Sequence, residues 1–213
     1  MKKTTIFATT VLAFSISAAA QAADNESTIN QQGSQNFGYV SQTGPGTGDD
    51  GSKSTLDQVG NSNSARITQI TNTPIVHTSK VYQEGSSNYT EVRQDASEAI
   101  GSAKDNNSNV AQVGNGNEAY VDQFGRGGHV NDIDQSGSSN YATVTQSFSS
   151  NTSNILQTGT DNLSDVTQSG SSGLSNIDQT GLGNNAYVIQ SAYNNTSSIT
   201  QSGSYNTAQV YQQ

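Results

Sequence analysis

The chain of 213 residues contains no cysteine, no tryptophan and only two histidines. Without cysteine there is no disulfide framework and no thiolate metal site. Hydrophobic residues make up only 30%. By composition alone such a chain would pass for disordered, being too polar to offset the entropy of ordering. Cations are scarce as well: eight Lys and Arg stand against seventeen Asp and Glu, for a net charge of −9. That balance argues against nucleic acid or an anionic membrane as partner. Past residue 22 no apolar run is long enough to suggest membrane insertion.

The opening of the chain is of a different kind. Lys2 and Lys3 precede an apolar stretch from Ile6 to Ala20, and Ala20-Gln21-Ala22 offers a small-residue cleavage site. This is the layout of a secretory signal peptide over residues 1–22. The mature chain is expected to begin at Ala23, with residues 23–26 as a short N-terminal segment. Losing two of the eight cations takes the charge from −9 to −11.

What the sequence has in abundance is a period. From Ile133 onward, glutamine recurs every eleven residues, at Gln135, Gln146, Gln157, Gln168, Gln179, Gln190, Gln201 and Gln212. Two residues before each stands Ile or Val, in strict alternation from Ile133 to Val210. Two residues after every other Gln comes Gly137, Gly159, Gly181 or Gly203, and three further on Asn140, Asn162, Asn184 or Asn206. The unit is therefore twenty-two residues with two unlike halves. Written out, it is S-x-[ILV]-x-Q-x-G-x-x-N-x-small-x-[VI]-x-Q. Copies occupy 27–42, 54–69, 79–94, 108–123, 131–146, 153–168, 175–190 and 197–212, the fifth opening on Asn131 instead of Ser. Extra residues fall only between copies, at Thr43 to Lys53, Ile70 to Thr78, Asp95 to Asn107 and Phe124 to Val130. Insertions confined to one edge read as loops at one side of a stack.

An eleven-residue repeat is also compatible with a right-handed helical supercoil. Ser, Thr, Asn, Gly and β-branched residues are poor material for that. Within each half, apolar and polar residues alternate with period two, which is strand spacing. The expected fold is all-β: a β-solenoid of eight stacked strand-turn-strand rungs, cross-β in character, with two facing parallel in-register sheets. Gly-x-x-Asn supplies the turn between the two strands of a rung.

Stacking such units puts like on like. Ile and Val columns bury apolar area, while Gln and Asn amides hydrogen-bond along the axis into ladders. The first copy (Ser27 to Gln42) and the last (Ser197 to Gln213) carry no charge, whereas the copies between them do. Natural sheets guard free edges with charge, and soluble solenoids carry caps. No cap is expected after Gln213. Both outer layers are therefore expected to pair with further copies, in a contact that does not close on itself. The candidate self-assembly residues are Ile29, Gln31, Asn36, Val40 and Gln42 at one end. At the other they are Ser197, Ile199, Gln201, Asn206, Val210 and Gln212.

Other features point to no chemistry. His77 and His129 stand alone between copies and read as solvated loop residues. Gly48-Asp49-Asp50-Gly51 is a single copy and lacks the spaced oxygen ligands of a Ca²⁺ loop. Carboxylates are scattered over different columns, unlike a polysaccharide-cleaving β-helix. Tyr39, Tyr82, Tyr89, Tyr120, Tyr141, Tyr187, Tyr205 and Tyr211 fall out of phase with the interior and should lie outside. No catalytic, metal or cofactor site is expected. A monomeric adhesin or an ice-binding solenoid would need a flat Thr or aromatic array and a capped end.

The motif resembles the curlin repeat, the unit of bacterial curli fibres, over Ser27 to Gln212. The resemblance implies an extracellular functional amyloid that forms a homopolymer and scaffolds biofilm, adhesion and surface colonisation. It also implies a nucleator subunit and an outer-membrane export pore as partners. Host matrix and neighbouring fibrils are further candidates. A complete set of repeats fits the major fibre subunit, and a minor, nucleating subunit is the alternative. The chain departs from the family in one respect: it has no Gly- and Asn-rich segment before the first copy. Targeting would then lie elsewhere, as in the Gly44 to Gly51 stretch.

Overall fold

The computed structural model describes residues 4–9, 25–44, 51–71, 75–96 and 104–213. The expected cleavage site at 20–22 and residues 48–50 of the acidic loop lie outside the described residues. Among those described there are seventeen strands and no helix. They are numbered in chain order from β1 (Thr4–Thr9). The first rung is β2 (Glu26–Ser34) with β3 (Phe37–Thr43), and the last is β16 (Thr196–Ser204) with β17 (Thr207–Gln212).

The first strands of all eight rungs, with β1 outermost, make a nine-stranded sheet, and the second strands make an eight-stranded one. Every pairing is parallel, and the register never slips. Ile133 lies opposite Val110 on one side and Ile155 on the other, and Gln135 opposite Gln112 and Gln157. Insertions of different length between copies leave this unchanged: Ser27 still meets Ser54, and Ser79 still meets Ser108. One-residue slippage would send every inward side chain to solvent, so the alternation itself pins the register.

Ile29, Leu56, Val81, Val110, Ile133, Ile155, Ile177 and Ile199 line one wall of the interior. Val40, Ile67, Val92, Val121, Val144, Val166 and Val188 line the other. The small column between them is fully buried at Ala65, Ala119, Ala142 and Ala186, and partly buried at Ala208 in the last rung. More polar than apolar residues are nonetheless buried, and Gln and Asn lead them. Twelve of the sixteen ladder glutamines, from Gln58 to Gln190, are at most 1% exposed. A Gln so placed would be costly alone, at about 1–3 kcal/mol for each unpaired group. It is tolerable here because an identical residue lies one layer away, about 4.8 Å along the axis.

The Gly-x-x-Asn corner is tightly determined. Gly137 has φ +118° and Ser139, just before Asn140, sits left-handed at φ 55°. A Cβ on Gly137 would lie 2.0 Å from the Gly159 carbonyl oxygen of the next layer. Neither that backbone angle nor that approach admits a side chain.

Three sequence expectations need correction. His77 and His129 are not solvated: both are fully buried, stacked into the opposite corner of the rung. The segments between copies are shorter as loops than the motif suggests. Thr43, Ile70, Asp95 and Phe124 still belong to strands, and Lys53, Thr78, Asn107 and Val130 already begin the next. The first layer is not wholly uncharged either, because β2 starts at Glu26, an exposed residue. Ahead of this first layer, β1 lies in the predicted leader and pairs with β2, with Ile6 opposite Ile29.

Candidate functional site

The surfaces of interest are the two ends of the stack, and the ladders that reach them have a direction. In the first-strand column each Gln donates from Nε2 to Oε1 of the Gln one layer toward the C-terminus. The links from Gln31 through to Gln201 span 2.6–2.9 Å. The second-strand column repeats this from Gln42 to Gln212 at 2.8–2.9 Å. The remaining Nε2 hydrogen ties into the backbone, as from Gln135 to Glu118 O and from Gln146 to Val130 O. Both hydrogens of each interior amide are thereby used, which is what burial requires.

The Asn column is reciprocal between neighbours. Asn140 Nδ2 donates to Gly159 O of the next layer, and Asn162 N donates back to Asn140 Oδ1 at 3.2 Å. The same pair of bonds joins Asn36 to Gly60 and Asn63, and Asn184 to Gly203 and Asn206.

The two ends therefore present unlike chemistry. At the N-terminal face, Gln31 and Gln42 hold out Oε1 acceptors at the layer where each inner Gln receives an N–H. Ile29 and Val40 are buried beside them, as is Asn36. At the C-terminal face, Gln201 and Gln212 bond to Asn185 O and Thr196 O, which leaves the axial hydrogen that every inner Gln gives onward. Ser197, Ile199 and Gln201 are 4–6% exposed, Asn206 is exposed, and Val210 packs partly against the core. Gly203 differs from the other seven corner glycines. A Cβ there would meet nothing nearer than Asn206 Nδ2 at 3.6 Å, because no layer lies above it.

The tyrosines lie outside, as their phase predicts. Tyr89, Tyr120 and Tyr141 form a stack with ring centroids 5.4 and 5.6 Å apart. Partial burial and the neighbouring Glu118 push the Tyr120 phenol up to about 12. Exposed Arg93 pairs with the half-buried Asp95 and Asp122, a surface contact of small net worth. No cluster of three or more metal-ligating side chains exists among the described residues.

A family model described as the curlin associated repeat matches residues 132–159 and 176–203. Over those two stretches the chain matches the curlin repeat. The two matched stretches begin at equivalent positions two rungs apart, and the remaining rungs continue them in the same register. No curated protein matches the chain significantly. The curlin repeat implies a subunit of curli-type amyloid that assembles with itself into extracellular fibres.

Sequence reasoning located the ladder residues through their period but did not reach two features of the site. The direction of the amide bonds is a matter of side-chain orientation. The second corner column, which includes His77 and His129, is hidden because its members are of four residue types. A weak signal was available: Asn151, Gly173 and Asn195 keep the twenty-two-residue spacing.

Proposed function

We propose that this chain is a secreted structural subunit that polymerises head to tail into curli-like fibres. Those fibres would serve biofilm matrix, adhesion and surface colonisation. The C-terminal face of one copy receives the N-terminal face of the next in the register of its own layers. Ser197 then meets Ser27, Ile199 meets Ile29, and Val210 meets Val40. Gln201 and Gln212 donate to Gln31 and Gln42, and Asn206 bonds to Gly33 and Asn36. The polarity of the amide ladders carries this reading: it leaves donors at one end and acceptors at the other. A contact of that kind is heterologous and open-ended, hence a filament. A nucleator that offers one face, an export pore and passage through the periplasm fit the same reading as partners and route. The leader belongs to it too. β1 takes the backbone edge of β2 that an incoming copy needs, so removal after Ala22 would free that edge.

The test is Gly203→Ala. Inside one chain its Cβ meets no atom nearer than 3.6 Å, so the cost there is limited to the strain of φ +109°, but a stacked copy would place the Gly33 carbonyl where Gly159 O stands over Gly137. The variant should add to wild-type seeds through its intact N-terminal face and then stop them. Elongation followed with an amyloid dye should fall steeply at substoichiometric doses. Undiminished growth from seeds carrying the variant would overturn the head-to-tail arrangement. A chain beginning at Met1 should elongate more slowly than one beginning at Ala23.

A further inference from the structure

The second corner of each rung is also a ladder, and two of its members are imidazoles. The column runs Ser52, His77, Asn106, His129, Asn151, since Lys53, Thr78, Asn107, Val130 and Thr152, the residues that follow them, stand opposite one another. Asn members accept the next layer's backbone N–H on Oδ1: His129 N reaches Asn106 at 3.1 Å, and Gly173 N reaches Asn151 at 2.9 Å. The histidines do the same with Nδ1. Asn106 N donates to His77 Nδ1 at 3.2 Å and Asn151 N to His129 Nδ1 at 3.3 Å. Both rings are thereby held neutral, with the hydrogen on Nε2. His129 Nε2 then donates to Phe124 O at 3.0 Å. His77 Nε2 turns toward the Ile70 carbonyl without closing a bond, and Asn106 Nδ2 between the two rings has no partner either.

We propose that this His77–Asn106–His129 stack is an acid-sensitive latch in the middle of the solenoid. A proton arriving on Nδ1 faces a backbone N–H that is itself a donor. The bond is lost, and a cation is left in a fully buried corner. The adjoining layers must then part there, while the Gly-x-x-Asn corner of the same rungs contains no buried titrating group, its one carboxylate, Asp161, being exposed, and stays closed. Asp95 and Asp105 face His77 and favour its proton; His77 itself weighs against a proton on His129. Lys104 and Arg126 flank the corner but point away, to Ser150 Oγ and over the Phe148 ring.

Burial is the main cause that lowers both imidazoles, His129 to about 4 from 6.5. The folded value is depressed, so the unfolded chain binds the extra proton first. Stability is complete above pH 6.5 and declines as pH falls toward 4. For His129 alone the shift corresponds to roughly a 100- to 1,000-fold loss in the folding equilibrium. Asp122, Asp134 and Asp165 are raised by burial and act in the opposite sense on acidification. A variant comparison removes that background.

The experiment uses the full chain and the double variant His77→Asn, His129→Asn, which installs the acceptor used elsewhere in the column. Denaturant midpoints are read from pH 7.5 to 4, with amide hydrogen exchange at Asn106, Asn151, Asn117 and Asn162. The wild type should lose stability relative to the variant as pH falls, with protection lost at Asn106 and Asn151 before Asn117 and Asn162. The variant should show neither effect. Parallel pH profiles for the two chains, or imidazoles that titrate at 6.5 in the assembled protein, would overturn the latch. Both readouts stand whether the layers belong to one chain or to a fibre, so failure here leaves the polymerisation reading intact.

Discussion

Each rung turns two corners, and the chain treats them differently. At both, the residue after the corner donates to the corner carbonyl of the next layer: Tyr141 N to Asn162 O at one, Val130 N to Asn151 O at the other, at 2.8 and 2.9 Å. At both, a left-handed residue precedes the ladder position, Ser139 before Asn140 and Ser172 before Gly173. The Gly-x-x-Asn corner nevertheless keeps one length and one ladder residue in all eight rungs. The other varies in length and takes Ser, His, Asn or Gly. The difference lies in whether the close approach recurs at one fixed position. At the first corner the backbone of one layer touches the glycine of the next. At the second, backbone also comes close, at Gly127 under Lys104 O and Gly170 under Ala192 O, but those glycines are not a repeated column, and Gly173 at the ladder position meets only side chains.

The largest test of that contrast replaces glycine on each side. Gly137→Ala should cost at least ~4 kcal/mol, since backbone must move and φ is forbidden. Gly173→Ala meets Gln190 Oε1, Asn151 Oδ1 and Gln168 Nε2 at 3.0–3.2 Å, hydrogen-bonded amide ends that must shift by a few tenths of an ångström while the backbone stays in place. It should cost about 1 kcal/mol by denaturant titration. Similar losses at both sites would erase the distinction between corners.

Next comes the ladder residue itself. Asn140→Ala strands Gly159 O and Asn162 N–H and should cost about 2–4 kcal/mol. Asn106→Ala strands only His129 N–H, for about 1 kcal/mol. Hydrogen exchange at the amides of Asn162 and His129 checks each locally. The smallest effect is the point on which the corners agree. Ser139→Gly and Ser172→Gly each relieve a left-handed L-residue and should each gain about 0.5 kcal/mol. A gain at one site alone would show that the two arcs are not the same turn.

The ladder columns were legible because their members repeat chemically as well as spatially. Ile133, Gln135 and Asn140 announce themselves by recurring, and period two within each half separates inside from outside without further information. His77 and His129 were misread for the opposite reason. Their column shares a place and a hydrogen bond but not a residue type, and their neighbours in sequence look like loop. Nδ1 of imidazole and Oδ1 of an amide are equivalent acceptors only once the next layer's N–H is seen beside them. Nor could charge counting show that Glu26 begins β2, because the strand runs one residue beyond the motif.

From its amino-acid order alone this chain determined its period, its strands, the face each side chain takes and the register of the stack. All of these follow from local alternation multiplied by repetition. Tertiary structure decided which way each amide points and so what each end offers. It also decided that a second, chemically mixed column closes the rung. Those depend on atoms brought together from layers twenty-two to twenty-nine residues apart, and a hydrogen bond has no direction until both of its partners are in place.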